Sequence, residues 1–127
     1  LSDSLPELKA TYQLNLQFNT VLLSAVWMHL APSERERAFR KIANLLAPGG
    51  RFVLSLRFGE FSDGRLSYPV SVDEIAKLAR QFGLVLSFVS DLTADSGGRA
   101  GVQWQTLVLE LPDDGSASLS RIRHIVL

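Results

Sequence analysis

Apolar residues dominate two short stretches, residues 20–26 and 51–57, the second through Phe52, Val53, Leu54 and Leu56. Unbroken apolarity of that length, rich in Val, Leu and Phe, predicts strands buried on both faces, as at the centre of a parallel sheet. Between them the period changes. Ala38, Phe39, Ile42, Ala43, Leu45 and Leu46 recur at helical spacing, which predicts a helix over 32–46. Glu34, Arg35, Glu36, Arg37, Arg40 and Lys41 take the other side and read as a solvated face. Pro32 suits the first helical position, where a missing N–H costs nothing. Pro48-Gly49-Gly50 stops the helix and turns the chain into the second apolar stretch.

The same alternation continues downstream. Ser71-Val72-Asp73-Glu74 is a capping box that opens a helix, with Ile75, Leu78, Ala79 and Phe82 on one face and Gly83 at its end. Residues 84–89 read as a strand, and 91–101 as a polar, glycine-rich loop. In residues 102–111, Trp104, Leu107 and Leu109 alternate with Gln103 and Gln105, as expected of a strand pairing antiparallel with its predecessor. Upstream, Tyr12, Leu14, Leu16 and Phe18 alternate weakly, as a strand or a loop packed on a core would. The order strand–helix–strand–helix–strand–strand predicts an α/β domain with a mostly parallel sheet and one antiparallel strand at its end.

Composition narrows the function classes. The chain has 127 residues, enough for one small domain, and a mean hydropathy of +0.14 that suits a globular core. Thirteen basic and thirteen acidic residues cancel, so charge indicates neither nucleic acid nor an anionic membrane as partner. No cysteine is present, which removes disulfides, thiolate nucleophiles and Cys-based metal sites. His29 and His124 lack metal-ligand spacing, so no metal is expected. The longest apolar run is too short to span a bilayer, and a cytoplasmic protein is the default expectation. The first residue is Leu1, which suggests that it is not a translation start.

Ligands of open α/β sheets bind outside the carboxyl ends of the strands. Two such ends carry candidate chemistry, Ser24 to His29 and Arg57. A small residue such as Ser24 or Ala25 lets a ligand approach the backbone. His29 reads either as a packing residue or as a general base. Arg57 reads either as a substrate anchor or as a solvated strand end. Trp27 and Met28 read as packing residues.

Two motifs together resemble the second half of a class I S-adenosylmethionine-dependent methyltransferase: the strand Phe18-Asn19-Thr20-Val21-Leu22-Leu23, and Leu45-Leu46-Ala47-Pro48-Gly49-Gly50-Arg51-Phe52, which matches the family's turn before its fifth strand. The match runs over roughly residues 2–111. Asn19 stands where the family usually has aspartate. The resemblance implies an incomplete Rossmann-like sheet, with 1–111 as the carboxyl half of the domain and 112–127 as a tail leading to an absent segment. It implies S-adenosylmethionine as cofactor, with Asp3, Ser4 and Leu5 on the adenine side and Ser24, Ala25 and Val26 against the methionine portion. His29 and Arg57 would face a methyl acceptor that the residues do not specify.

The family's glycine-rich first loop and the acidic residue after its second strand have no counterpart. The isolated chain is therefore expected to bind the cofactor weakly or not at all and to be inactive alone. The free edge of the strand over 20–26, which the family pairs with its first strand, is expected to recruit the missing half of the domain or a second copy. The competing reading is a non-catalytic α/β interaction module that forms a dimer.

Overall fold

A computed structural model describes residues 5, 7–13, 16–59, 67–95, 97–98, 101–113 and 123–127. The elements are α1 (Lys9–Gln13), β1 (Phe18–Ser24), a 3₁₀ turn (Trp27–His29), α2 (Pro32–Leu45), β2 (Leu46–Phe58), α3 (Val72–Phe82), β3 (Val85–Val89), β4 (Thr93–Ala94), β5 (Gln103–Glu110) and β6 (His124–Val126). The sheet order is β3-β5-β2-β1-β6, with β4 also on β5. β1 is parallel to β2 and to β6, and β5 is antiparallel to β2 and to β3. β5 is thus the antiparallel member of a mostly parallel sheet, as the hydropathy patterns predict.

Both helical crossovers run the same way along the sheet, from β1 to β2 and from β2 towards β3. Right-handed crossovers in one direction place their helices on one face. The core lies between that face and the helices: Val21, Leu23, Phe52, Leu54, Leu56, Leu107 and Leu109 meet Ala38, Phe39, Ile42, Ile75 and Leu78. Phe39 sits at the centre, with the rings of Trp27, Phe52 and Phe82 around it. The intervening positions point the other way. Leu22, Val53 and Val108 lie in cross-strand register on the second face and are only half-buried. The expectation of burial on both faces is corrected here: among the described residues, helices cover one face only.

Further expectations change: the second strand starts at Leu46, so Pro48-Gly49-Gly50 lies within it and does not form the turn that ends the helix, and the expected loop over 91–101 contains β4. Tyr12 lies in α1, not in a strand or loop, and Thr11 and Leu8 beside it are fully buried. The first strand starts two residues earlier than expected and stops at Ser24. Arg35, assigned to a solvated face, is 2% exposed. Most important, the edge of β1 is not bare. Thr20, Val21 and Leu22 pair with His124, Ile125 and Val126, and the Leu127 amide donates to the Leu22 carbonyl at 2.8 Å. Ile125 enters the core, and the Asn19 side-chain oxygen accepts from the Arg123 amide at 2.8 Å. The end of the tail thus covers the edge that the resemblance assigns to an absent strand.

Local sequence accounts for the joints. α2 has Pro32 at its start, and β2 begins directly after Leu45. The strand register slips between Phe18 and Thr20, where Ala47-Pro48-Gly49-Gly50 bulges out of β2. Gly50 is required there: a Cβ would stand 2.7 Å from the Ala47 carbonyl and 3.0 Å from the Phe18 carbonyl. α3 opens with the Ser71 hydroxyl accepting from the Glu74 amide and closes on Gly83 in the left-handed conformation.

Candidate active site at the carboxyl ends of β1 and β2

β1 ends in an unusual backbone. Ala25 has φ of +55°, a left-handed conformation that costs a residue with a Cβ about 1–3 kcal/mol. Ser55, the neighbour of Ser24 across β2, holds it there. Its hydroxyl accepts from the Ala25 amide at 3.1 Å and donates to the Ser24 hydroxyl at 3.2 Å. Ser24, Ala25 and Ser55 therefore form a small, polar strand end. Ser55 escapes sequence reasoning because it sits inside an apolar run; only its place one strand over from Ser24 reveals it.

Beyond Val26 the chain turns through Trp27–His29. Trp27 and Met28 are buried, and the Trp27 indole donates to Glu74 at 3.0 Å. Arg35 reaches the same carboxylate at 3.1 Å, stacks over the Trp27 ring and donates to the Pro69 carbonyl at 2.8 Å. Glu74 is the last residue of the capping box, but its carboxylate serves this network. The Tyr68 amide donates to the Met28 carbonyl at 2.8 Å. Tyr68 is thereby tied to the turn after β1, and Pro69 to Arg35 of α2.

These ties frame a cavity of about 420 Å³, lined by Met28, Arg57, Phe58, Gly59, Ser67, Tyr68, Pro69 and Val70. That volume falls in the range of small-molecule sites. Its walls mix apolar and polar groups, with Arg57, 7% exposed, near the end of β2. Of the residues singled out in the sequence, Arg57 lines the cavity. Met28, read as a packing residue, does both: it is 1% exposed and forms part of the wall. His29 is half-buried one residue further on and is not part of the lining. Ser24, Ala25 and Val26 stand together at the adjacent strand end. Leu5 packs partly buried against the core, while Asp3 and Ser4 lie outside the described residues. Among the described residues, no group of three His, Asp or Glu side chains is placed to hold a metal ion, and no helix is long and apolar enough to cross a membrane.

Solved structures share this architecture. Magnesium protoporphyrin IX methyltransferase from Synechocystis PCC 6803, solved with bound S-adenosylmethionine, superposes with a TM-score of 0.56 at 19% identity, over 75% of this chain and 39% of that one. The 1,6-didemethyltoxoflavin-N1-methyltransferase of Burkholderia thailandensis, with its substrate and S-adenosylhomocysteine bound, gives 0.56 at 23% identity, over 76% and 45%. A SAM-dependent methyltransferase from Methanosarcina mazei gives 0.56 at 11% identity, over 77% and 61%. No protein-family model and no curated protein matches the sequence. The chain shares the Rossmann-like α/β fold of these S-adenosylmethionine-dependent methyltransferase structures. It spans about two fifths to three fifths of the length of these structures.

Proposed function

We propose that this chain is the acceptor-side part of an S-adenosylmethionine-dependent methyltransferase, and that its cavity receives the methyl acceptor. The observation that carries the reading is the juxtaposition of a strained, small-residue strand end with a cavity at the carboxyl ends of adjacent parallel strands. Ligands of this class of sheet bind at such ends. The residues present fit part of the cofactor. Ser24, Ala25 and Val26, held by Ser55, offer small side chains and a backbone that a ligand can approach. Leu5, with Asp3 and Ser4, would lie on the adenine side. When bound, the cofactor supplies a methyl group on a sulfonium, an electrophile that needs alignment with its acceptor more than it needs acid or base.

The chain's own contribution is accordingly positional. Met28, Phe58, Pro69 and Val70 exclude water from the acceptor, and Arg57 anchors it through charge-assisted hydrogen bonds. His29 would take a proton only from an acceptor that must lose one, and only by turning towards the cavity. The contacts to the cofactor carboxylate and ribose must come from elsewhere, and each such charge-assisted bond is worth about 1.5–3 kcal/mol. Calorimetry tests this. The chain should bind S-adenosylmethionine weakly, with a dissociation constant on the order of 1 mM, or about −4 kcal/mol. Ser24→Leu, at an exposed position, should remove that binding, while Arg57→Ala should leave it unchanged and instead slow methyl transfer wherever turnover is measured. Tight one-to-one binding, or weak binding indifferent to Ser24→Leu, would overturn the assignment.

A further inference from the structure

A single nitrogen holds Arg35 in place. Its Nη1 donates to the Pro69 carbonyl at 2.8 Å and to the two Glu74 carboxylate oxygens at 3.1 and 3.2 Å. Nε and Nη2 are buried and, among the described residues, have no hydrogen-bond partner. Buried donors left unpaired are costly, and a buried ion pair is often no more stabilising than apolar residues packed in its place. Stability alone therefore gives little reason for an arginine at this position.

What the arginine does is close a ring of contacts. The Trp27 indole donates to Glu74 at 3.0 Å, Arg35 joins Glu74 to the Pro69 carbonyl, and the Tyr68 amide returns to the Met28 carbonyl at 2.8 Å. Trp27 and Met28 are neighbours in the chain, as are Tyr68 and Pro69, so the ring fixes one pair against the other. Met28, Tyr68 and Pro69 all line the cavity, whereas Arg35 and Glu74 stand behind it and do not. Pro69 is exposed, so water can serve its carbonyl when Arg35 lets go. Burial therefore does not compel this bond. We propose that Arg35 and Glu74 are positioning residues: acting from α2 and α3, they set the Met28 wall of the cavity against the wall of Tyr68 and Pro69. The bearing of this on methyl transfer rests on the reading of the cavity as the acceptor's place; the positioning itself does not.

Hydrogen exchange at the Tyr68 amide reads the wall without any acceptor. Arg35→Leu should speed exchange there about 10-fold or more beyond any change at the Phe52 and Leu54 amides of β2, because the wall opens locally while the core stays shut. Arg37→Leu removes an exposed ion pair with Glu7 from the same helix and should leave Tyr68 unmoved. Since one nitrogen makes all of Arg35's hydrogen bonds, Arg35→Lys should recover most of the lost protection. Glu74→Gln keeps an acceptor for Trp27 and Arg35 but loses the charge. It should free Tyr68 selectively, though less, and it carries the test if Arg35→Leu does not fold. Met28 is the chain's one methionine. Its ¹³C-labelled methyl should shift in Arg35→Leu and return in Arg35→Lys. Equal acceleration at Tyr68, Phe52 and Leu54, an unmoved Tyr68, or an Arg35→Lys chain no better protected than Arg35→Leu would each overturn the proposal. Selective loss at Tyr68 in a chain whose residues 24–26 ignore S-adenosylhomocysteine would sustain the positioning role and remove the methyltransferase reading instead.

Discussion

Glu74 shows how much one side chain can organise. Its backbone amide completes the α3 cap, while its carboxylate receives the Trp27 indole and the Arg35 guanidinium. Arg35 is 2% exposed, so its charge depends on that carboxylate. Removing one partner of a buried pair typically costs about 3–5 kcal/mol, because the other charge is left uncompensated. Glu74→Ala should therefore destabilise the chain by about 3 kcal/mol, read from urea unfolding, and Arg35→Ala should cost much less when Glu74 is already gone. Additive costs in that double-mutant cycle would show that the pair is not coupled. None of this is visible in the sequence. The capping box announces Glu74 as a cap, and the row of charges around Arg35 announces a solvated face. What distinguishes Arg35 from its neighbours is the loop of residues 67–70 folded over it, a tertiary fact with no local signal.

At the scale of elements, sequence and structure agree where a local rule decides and part where pairing decides. The helix expected over 32–46 forms and ends one residue sooner, at Leu45, and the Ser71 cap and the Gly83 stop stand where the pattern puts them. The strands are legible as strands, but unbroken apolarity does not reveal that Leu22 and Val53 point to a face that, among the described residues, no helix covers. The tail strand is the largest surprise. Three residues, His124–Val126, are too short to signal a strand, and only their pairing with β1 makes them one. The helix-to-strand joint illustrates the opposite case, in which backbone space dictates identity. At Gly50 a Cβ would collide with the Ala47 carbonyl, and neither that backbone nor Phe18's can retreat without breaking the β1–β2 register. Gly50→Ala should cost about 1–3 kcal/mol, as overpacking does. A melting temperature equal to that of the unsubstituted chain would mean the bulge is softer than its geometry implies.

Among the described residues, helices and core lie on one face of a six-stranded sheet, half-buried apolar positions lie on the other, and the candidate site lies where β1 and β2 stop. The order of strands alone pointed to the carboxyl ends as the place to look, since parallel β-α-β units put their ligands there, and a cavity lies beside them. Its membership was only partly legible. Arg57 lines the cavity, whereas His29 sits beside it, and Ser55, Tyr68 and the Pro69–Val70 wall emerge only from cross-strand register and loop packing. The central claim is that Ser24, Ala25 and Val26, braced by Ser55, form the cofactor-facing strand end. Titration of the ¹⁵N-labelled chain with S-adenosylhomocysteine, followed residue by residue by NMR, tests it most directly. The account predicts saturable shifts in the millimolar range at the amides of Ser24, Ala25, Val26 and Ser55, with the β3 edge unmoved. Shifts confined to other surfaces, or none at all at those concentrations, would contradict it.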